Sequence, residues 1–90
     1  RRMNMRIDKF LKVSRIIKRR TVANEACDAS RITVNGRPVK ASYDVKVGDV
    51  ITVSFGQREL TVRVTNVLEH ALKADASCMY EVVEQNSHHD

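Results

Sequence analysis

From Ile7 the chain places apolar residues at helical spacing: Ile7, Phe10 and Leu11 share one face at i, i+3 and i+4, while Arg6, Lys9 and Lys12 follow one another at i, i+3 and i+6 on another. One face of such a helix packs and the other can bind. Ser14 to Arg20 interrupts the pattern, and Thr21 reads as the N-cap of a second helix running to about Ala29, with Val22, Ala23, Ala26 and Cys27 as its apolar side. The period then changes to two. Ile32-Thr33-Val34 alternates, Asn35-Gly36 is a strong hairpin signal, and Pro38-Val39-Lys40 begins the return. Val47-Gly48-Asp49 marks a turn into a strand over Val50–Phe55, and Gly56-Gln57-Arg58 turns that strand into a partner over Glu59–Val64. Residues 69–77 read as a loop, Met79–Val83 as a final strand, and Gln85–Asp90 as a flexible polar tail without apolar anchors. The predicted fold class is α+β, with two short N-terminal helices packed on a small twisted antiparallel sheet. It forms a single domain over residues 1–84 and is followed by a tail at 85–90.

Ninety residues close one core and leave no material for a second lobe. Hydrophobic residues at 42% and charged residues at 30% fit a globular chain and argue against disorder. Phe10, Tyr43, Phe55 and Tyr80 are too few and too scattered to build a stacking platform for single-stranded bases. No apolar run approaches the roughly 20 residues that span a bilayer, and the basic start is not followed by the uninterrupted apolar stretch of a secretory signal. A cytoplasmic address is the expectation, with no membrane partner. Met3 or Met5 as a natural start and the polar tail predict a complete protein, although Arg1 and Arg2 ahead of the first Met have no account. Cys27 and Cys78 lie far apart with no Cys-x-x-Cys pair, and read as reduced, partly buried small hydrophobes.

The distribution of charge says more than its sum. Residues 1–20 hold nine basic side chains against Asp8 alone, a net of +8, so the other 70 residues carry −3 of the total +5. Such a concentration costs self-repulsion that a polyanion would relieve. Arg19 and Arg20 add a local conflict, because they stand at the positive end of the second predicted helix, where cations are disfavoured unless an anion is shared between them. A phosphate site has this form. A solvated basic helix, or one lying on anionic lipid, is the plainer alternative.

Catalytic groupings are missing from the pattern. His88 and His89 fall in the predicted tail, His70 stands alone, and the cysteine spacing does not fit a structural zinc. Gly36, Gly48 and Gly56 each occupy a predicted strand turn, so there is no Gly-rich phosphate loop. No nucleophile, base and orienter can be assembled from spacing. A non-enzyme with no metal and no cofactor is expected.

Four anchors between Arg6 and Val53 carry a resemblance. Arg6-Ile7-Asp8 opens the first helix, and Arg20-Thr21 with Ala23 opens the second. Arg31-Ile32-Thr33-Val34-Asn35-Gly36 forms the first hairpin, and Gly48-Asp49-Val50-Ile51 leads into the next strand. The segment resembles the small RNA-binding domain first described in ribosomal protein S4, whose motif core here spans residues 6–53. The family usually carries Gly where this chain has Ser30, Ser where it has Arg19, and often Pro where it has Ala41. The phrase from Asp8 to Arg20 is similar to a narrower group, short ribosome-associated quality control proteins related to the heat-shock-induced protein that binds free large subunits. What that resemblance implies is a partner, not a reaction. In that group the protein binds a large ribosomal subunit obstructed by peptidyl-tRNA, contacts large-subunit rRNA and tRNA, and helps a second factor add alanine tails.

The expected RNA-binding residues are Arg6, Lys9, Lys12, Arg15, Lys18, Arg19 and Arg20, with Arg37 and Lys40 at the hairpin as secondary contacts. Asp8 is expected to orient a neighbouring arginine or to cap the helix. The helices are short and Asn24 is their one base-reading side chain, so the pattern favours phosphate contacts on folded RNA over sequence readout in a DNA groove. A monomer is expected. Two other readings stay open: a protein-interaction module whose basic face meets an acidic partner, and an RNA-binding accessory piece of an rRNA- or tRNA-modifying enzyme.

Overall fold

The computed structural model describes residues 5–67 and 79–87, with element order β1(Met5–Arg6), α1(Ile7–Val13), α2(Arg20–Asp28), β2(Ile32–Val34), β3(Arg37–Pro38), β4(Asp44–Val45), β5(Val50–Phe55), β6(Arg58–Val64) and β7(Tyr80–Ser87). Arg1 and Arg2, the loop predicted at 69–77 with His70, Cys78, and the end of the tail with His88 and His89 lie outside the described residues. The predicted α+β arrangement is the observed one.

β2, β3, β5, β6 and β7 form an antiparallel sheet in the order β3-β2-β5-β6-β7. Its alternation sets one face against the helices. Ile32, Val34, Ile51, Val53, Val62 and Val64 are buried and share a core with Ile7, Phe10 and Leu11 of α1 and Ala23 and Cys27 of α2. Thr52 and Thr61, on the positions between, pair through their hydroxyls at 3.1 Å. Asn35 and Gly36 turn β2 into β3 with φ of 54° and 85°, which Gly adopts freely and Asn tolerates better than most residues.

Both helices end on a left-handed residue. After α1, Arg15 has φ of 66°, and its N–H donates to the Lys12 carbonyl while the Ile17 N–H donates to that of Leu11. After α2, Ser30 has φ of 59°, with its own N–H on the Cys27 carbonyl and the Arg31 N–H on that of Ala26. Those paired bonds satisfy carbonyls that a helix end leaves without partners.

Three expectations are corrected and one element is added. Helix α2 opens at Arg20 with Arg19 as its N-cap and no side-chain cap, so Thr21 lies inside the first turn. A second, two-stranded sheet pairs Met5 with Val45 and Arg6 with Asp44; strands of two residues are too short to show a period. The return strand β3 stops at Pro38, which cannot donate to a ladder. Strand β7 continues past Val83, with Gln85, Asn86 and Ser87 opposite Leu60, Glu59 and Arg58, so the first half of the predicted tail belongs to the sheet. Backbone pairing needs no apolar side chain, and the tail's polar composition therefore hid it.

Ser30 provides a test of the helix ending. Because glycine carries no penalty in the left-handed region, Ser30→Gly should raise stability by about 0.5–1 kcal/mol, and Ser30→Val should lower it. A urea titration that moves the midpoint in the opposite order would contradict the described backbone.

Candidate nucleic-acid interface

The basic segment is organised by one carboxylate. Asp8 lies in the first turn of α1 with only 2% of its surface exposed. Its Oδ1 accepts the Lys9 backbone N–H at 2.7 Å and Nε of Arg6 at 3.3 Å. Its Oδ2 accepts Nη2 of Arg6 at 3.2 Å and lies 3.3 Å from Nε of Arg20. The Asn24 amide reaches Oδ2 at 3.5 Å. The side chains of Arg6 and Arg20 nevertheless stay 49% and 46% exposed. Burial alone would push the Asp8 carboxyl up. Hydrogen bonds from Arg20 and Arg6, the positive charge of Arg20 and the Lys9 N–H outweigh it and hold the carboxyl below its ordinary 3.8.

The conflict posed by cations at the start of α2 is therefore met from within the chain, since Asp8 supplies the anion that Arg20 requires. The outer parts of both guanidiniums face solvent. Beside them runs a shallow groove of about 400 Å³ lined by Asp8, Arg20, Thr21, Asn24 and Glu25.

The other expected residues fall around this centre. Lys12 on α1 is exposed, Lys9 is half-buried, and Arg15, Lys18 and Arg19 are exposed along the connection to α2. Arg15 takes a left-handed backbone conformation there. Lys40 is exposed and immediately precedes Ala41, whose carbonyl accepts the Asp8 N–H at 3.3 Å, so the backbone brings it to the same neighbourhood. Arg37 belongs to the sheet instead, exposed on β3. Asn24 turns out to be a partner of Asp8; its i, i+4 spacing from Arg20 was the available sign that the two share a helix face.

The Cys27 thiol is pushed up to about 11, first by burial and then by the charges of Asp8 and Asp28, so it stays protonated at neutral pH. Among the described residues no group of three or more His, Cys, Asp or Glu side chains could hold a metal ion.

Residues 5–51 match the family model described as S4 domain. A protein from Halalkalibacterium halodurans named RQC P-site tRNA stabilizing factor is 58% identical over 78 residues, covering 87% of this chain and 89% of its own length. A protein of the same name from Bacillus subtilis is 52% identical over 81 residues, covering 90% and 94%. Among solved structures, that of trimeric Heat Shock Protein 15 from Vibrio cholerae matches with a TM-score of 0.82 at 26% identity, over 89% of this chain and 82% of the other.

Asp8 allows charge and geometry to be separated. Asp8→Asn adds one positive charge to the surface, which by charge alone should tighten binding to structured RNA. Orientation of Arg6 and Arg20 by the carboxylate predicts instead a loss of about fivefold, roughly 1 kcal/mol, the scale of one hydrogen bond. A filter-binding titration gives the sign, and tighter binding by the variant would remove Asp8 from the site. The same carboxyl sets an acid limit. Its folded pKa is lowered, so the stability it contributes is present above 3.8 and is lost as pH falls below that value. Denaturant melts of Asp8→Asn should lose that component of the acid dependence.

Proposed function

The chain belongs to the S4 domain family, among proteins named RQC P-site tRNA stabilizing factors, and on that premise we propose that it is a non-catalytic RNA-binding adaptor of ribosome-associated quality control. It works in the cytoplasm on large ribosomal subunits obstructed by peptidyl-tRNA. It contacts large-subunit rRNA and the tRNA, acts as a monomer, and assists a second factor that adds alanine to the stalled chain.

The observation that carries this reading is the pair of half-exposed guanidiniums, Arg6 and Arg20, fixed on a buried carboxylate and flanked by exposed Lys12, Arg15, Lys18 and Arg19. Guanidinium forks match phosphate geometry, and ordering them in advance lowers the entropy lost on binding. Asn24 reaches the Asp8 carboxylate and Lys40 stands next to Ala41, so the neighbourhood offers phosphate donors and little base readout. A domain this small gains affinity by touching two RNAs at once, since the second contact is intramolecular once the first has formed. An acidic protein partner would meet the same charge, and recovery of the chain from cells with and without RNase distinguishes the two.

Binding should be electrostatic. With about four to six phosphates neutralised, log K should fall with log salt at a slope of roughly −3 to −5, and a slope near zero would refute the phosphate face. Arg20→Ala should weaken binding more than Arg58→Ala on the sheet and reduce the slope by about one or less; equal losses would misplace the site.

The target is tested by sedimentation. The tagged protein should travel with large subunits carrying peptidyl-tRNA in preference to intact ribosomes or vacant subunits, and Arg6→Ala or Arg20→Ala should release it. Equal co-sedimentation with every particle would leave only general RNA binding.

A further inference from the structure

The larger sheet ends differently on its two sides. One edge is β3, two residues long and carrying Pro38, which offers no N–H. The other is β7, eight residues long and hydrogen-bonded to β6 alone among the described residues. Val82 and Val83, consecutive on β7, are each 55% exposed. The register shifts between Thr61 and Val62, so that Val62 faces Val82, Thr61 faces Glu84, and Val83 is the extra residue of a bulge. A long outer strand with two half-exposed valines leaves both backbone groups and apolar surface available.

The charge of this strand is opposite to that of the first helix. β7 carries Glu81 and Glu84 and no Lys or Arg; Glu81 is joined to Arg63 on β6. Two copies of β7 laid antiparallel would bring acidic strand against acidic strand, and like charges across a ladder destabilise it. The bulge further interrupts the flat register that edge-to-edge self-pairing needs. A basic segment avoids the first obstacle, because its charge is complementary.

We propose that the outer edge of β7 accepts an extended basic peptide segment as a sixth strand of the sheet. Main-chain hydrogen bonds to β7 would supply affinity, apolar residues of the segment would cover Val82 and Val83, and its Lys or Arg residues would answer the acidic charge of the strand. Specificity in strand addition comes from such alternate side chains. The surface is separate from Asp8, Arg6 and Arg20, so a peptide on β7 and RNA on the helices can be held together.

The test uses the full chain, isotope-labelled for amide NMR, with three synthetic octapeptides: alternating Lys and Val, alternating Glu and Val, and the Lys-Val peptide with two central prolines. The Lys-Val peptide should shift β7 amides and slow their hydrogen exchange, and the other two should bind at least about tenfold more weakly, having lost charge complementarity or ladder donors. Glu84→Lys should weaken the Lys-Val peptide similarly while RNA binding is not weakened, so failure here is distinguishable from failure of the RNA reading. The proposal is overturned if the Lys-Val peptide causes no shift at millimolar concentration, if the acidic peptide binds as well, or if the shifts map to α1 and α2. It is also overturned if β7 amides are fully protected without peptide, or if dilution-dependent shifts of the β7 amides show that the chain self-associates there.

Discussion

A buried carboxylate is stable only with partners, and Asp8 obtains them from both sides of the interruption between the helices. Arg6 reaches it from the end of β1, Arg20 and Asn24 from α2, and the Lys9 N–H from its own helix. Removing any one leaves negative charge in a low-dielectric site with fewer donors. The interaction thus fixes the two helices at their basic ends, and it converts local repulsion into a defined spacing of two guanidiniums. One acidic residue among nine basic ones costs little of the field and sets much of its shape.

A second polar cluster carries that order into the sheet. Asp49, 8% exposed, accepts the Tyr43 hydroxyl at 2.9 Å, the Lys46 N–H at 3.0 Å and the Asn35 amide at 3.4 Å. Asn35 in turn accepts the Val50 N–H at 3.1 Å. Two turns distant in sequence are thereby joined. Burial first, then the hydrogen bond to Asp49 and its charge, raise the Tyr43 phenol above its ordinary value of 10, so it remains a donor throughout the neutral range. The Tyr43 carbonyl accepts the N–H of Ile7 at 2.8 Å, where α1 begins. The hairpin turns and the start of the binding helix are successive links of one hydrogen-bonded chain.

The elements that repeat a period were legible in the sequence. Ile7, Phe10 and Leu11 marked α1, Asn35-Gly36 marked the hairpin, and the alternation of Ile51, Val53, Val62 and Val64 marked the central strands. Elements without a readable period were not: β1 and β4 are two residues each, and Gln85–Ser87 pair despite their polar composition. At the site, charge clustering singled out residues 6–20 but not their arrangement. The anion for Arg20 was sought outside the chain because a carboxylate 12 residues away has no local signature. Thr21 had the chemistry of a cap, yet the helix starts one residue earlier, where Arg20 meets Asp8.

The order of strands also divides the molecule by what each part can lose. Every strand of the larger sheet except the two outermost has neighbours on both sides, and β7 is tied through β6 alone among the described residues. Both helices, the Asp8 contacts and the Asp49 cluster lie between Met5 and Val64. Opening of β7 would expose the outer edge of β6 and leave those contacts standing, a partial unfolding separate from the global one. Under native exchange the amides of β7 would then form the low-stability unit and those of β5 the high one. The chain is in this sense two cooperative layers, one that keeps the guanidiniums in place and one that can peel away from it.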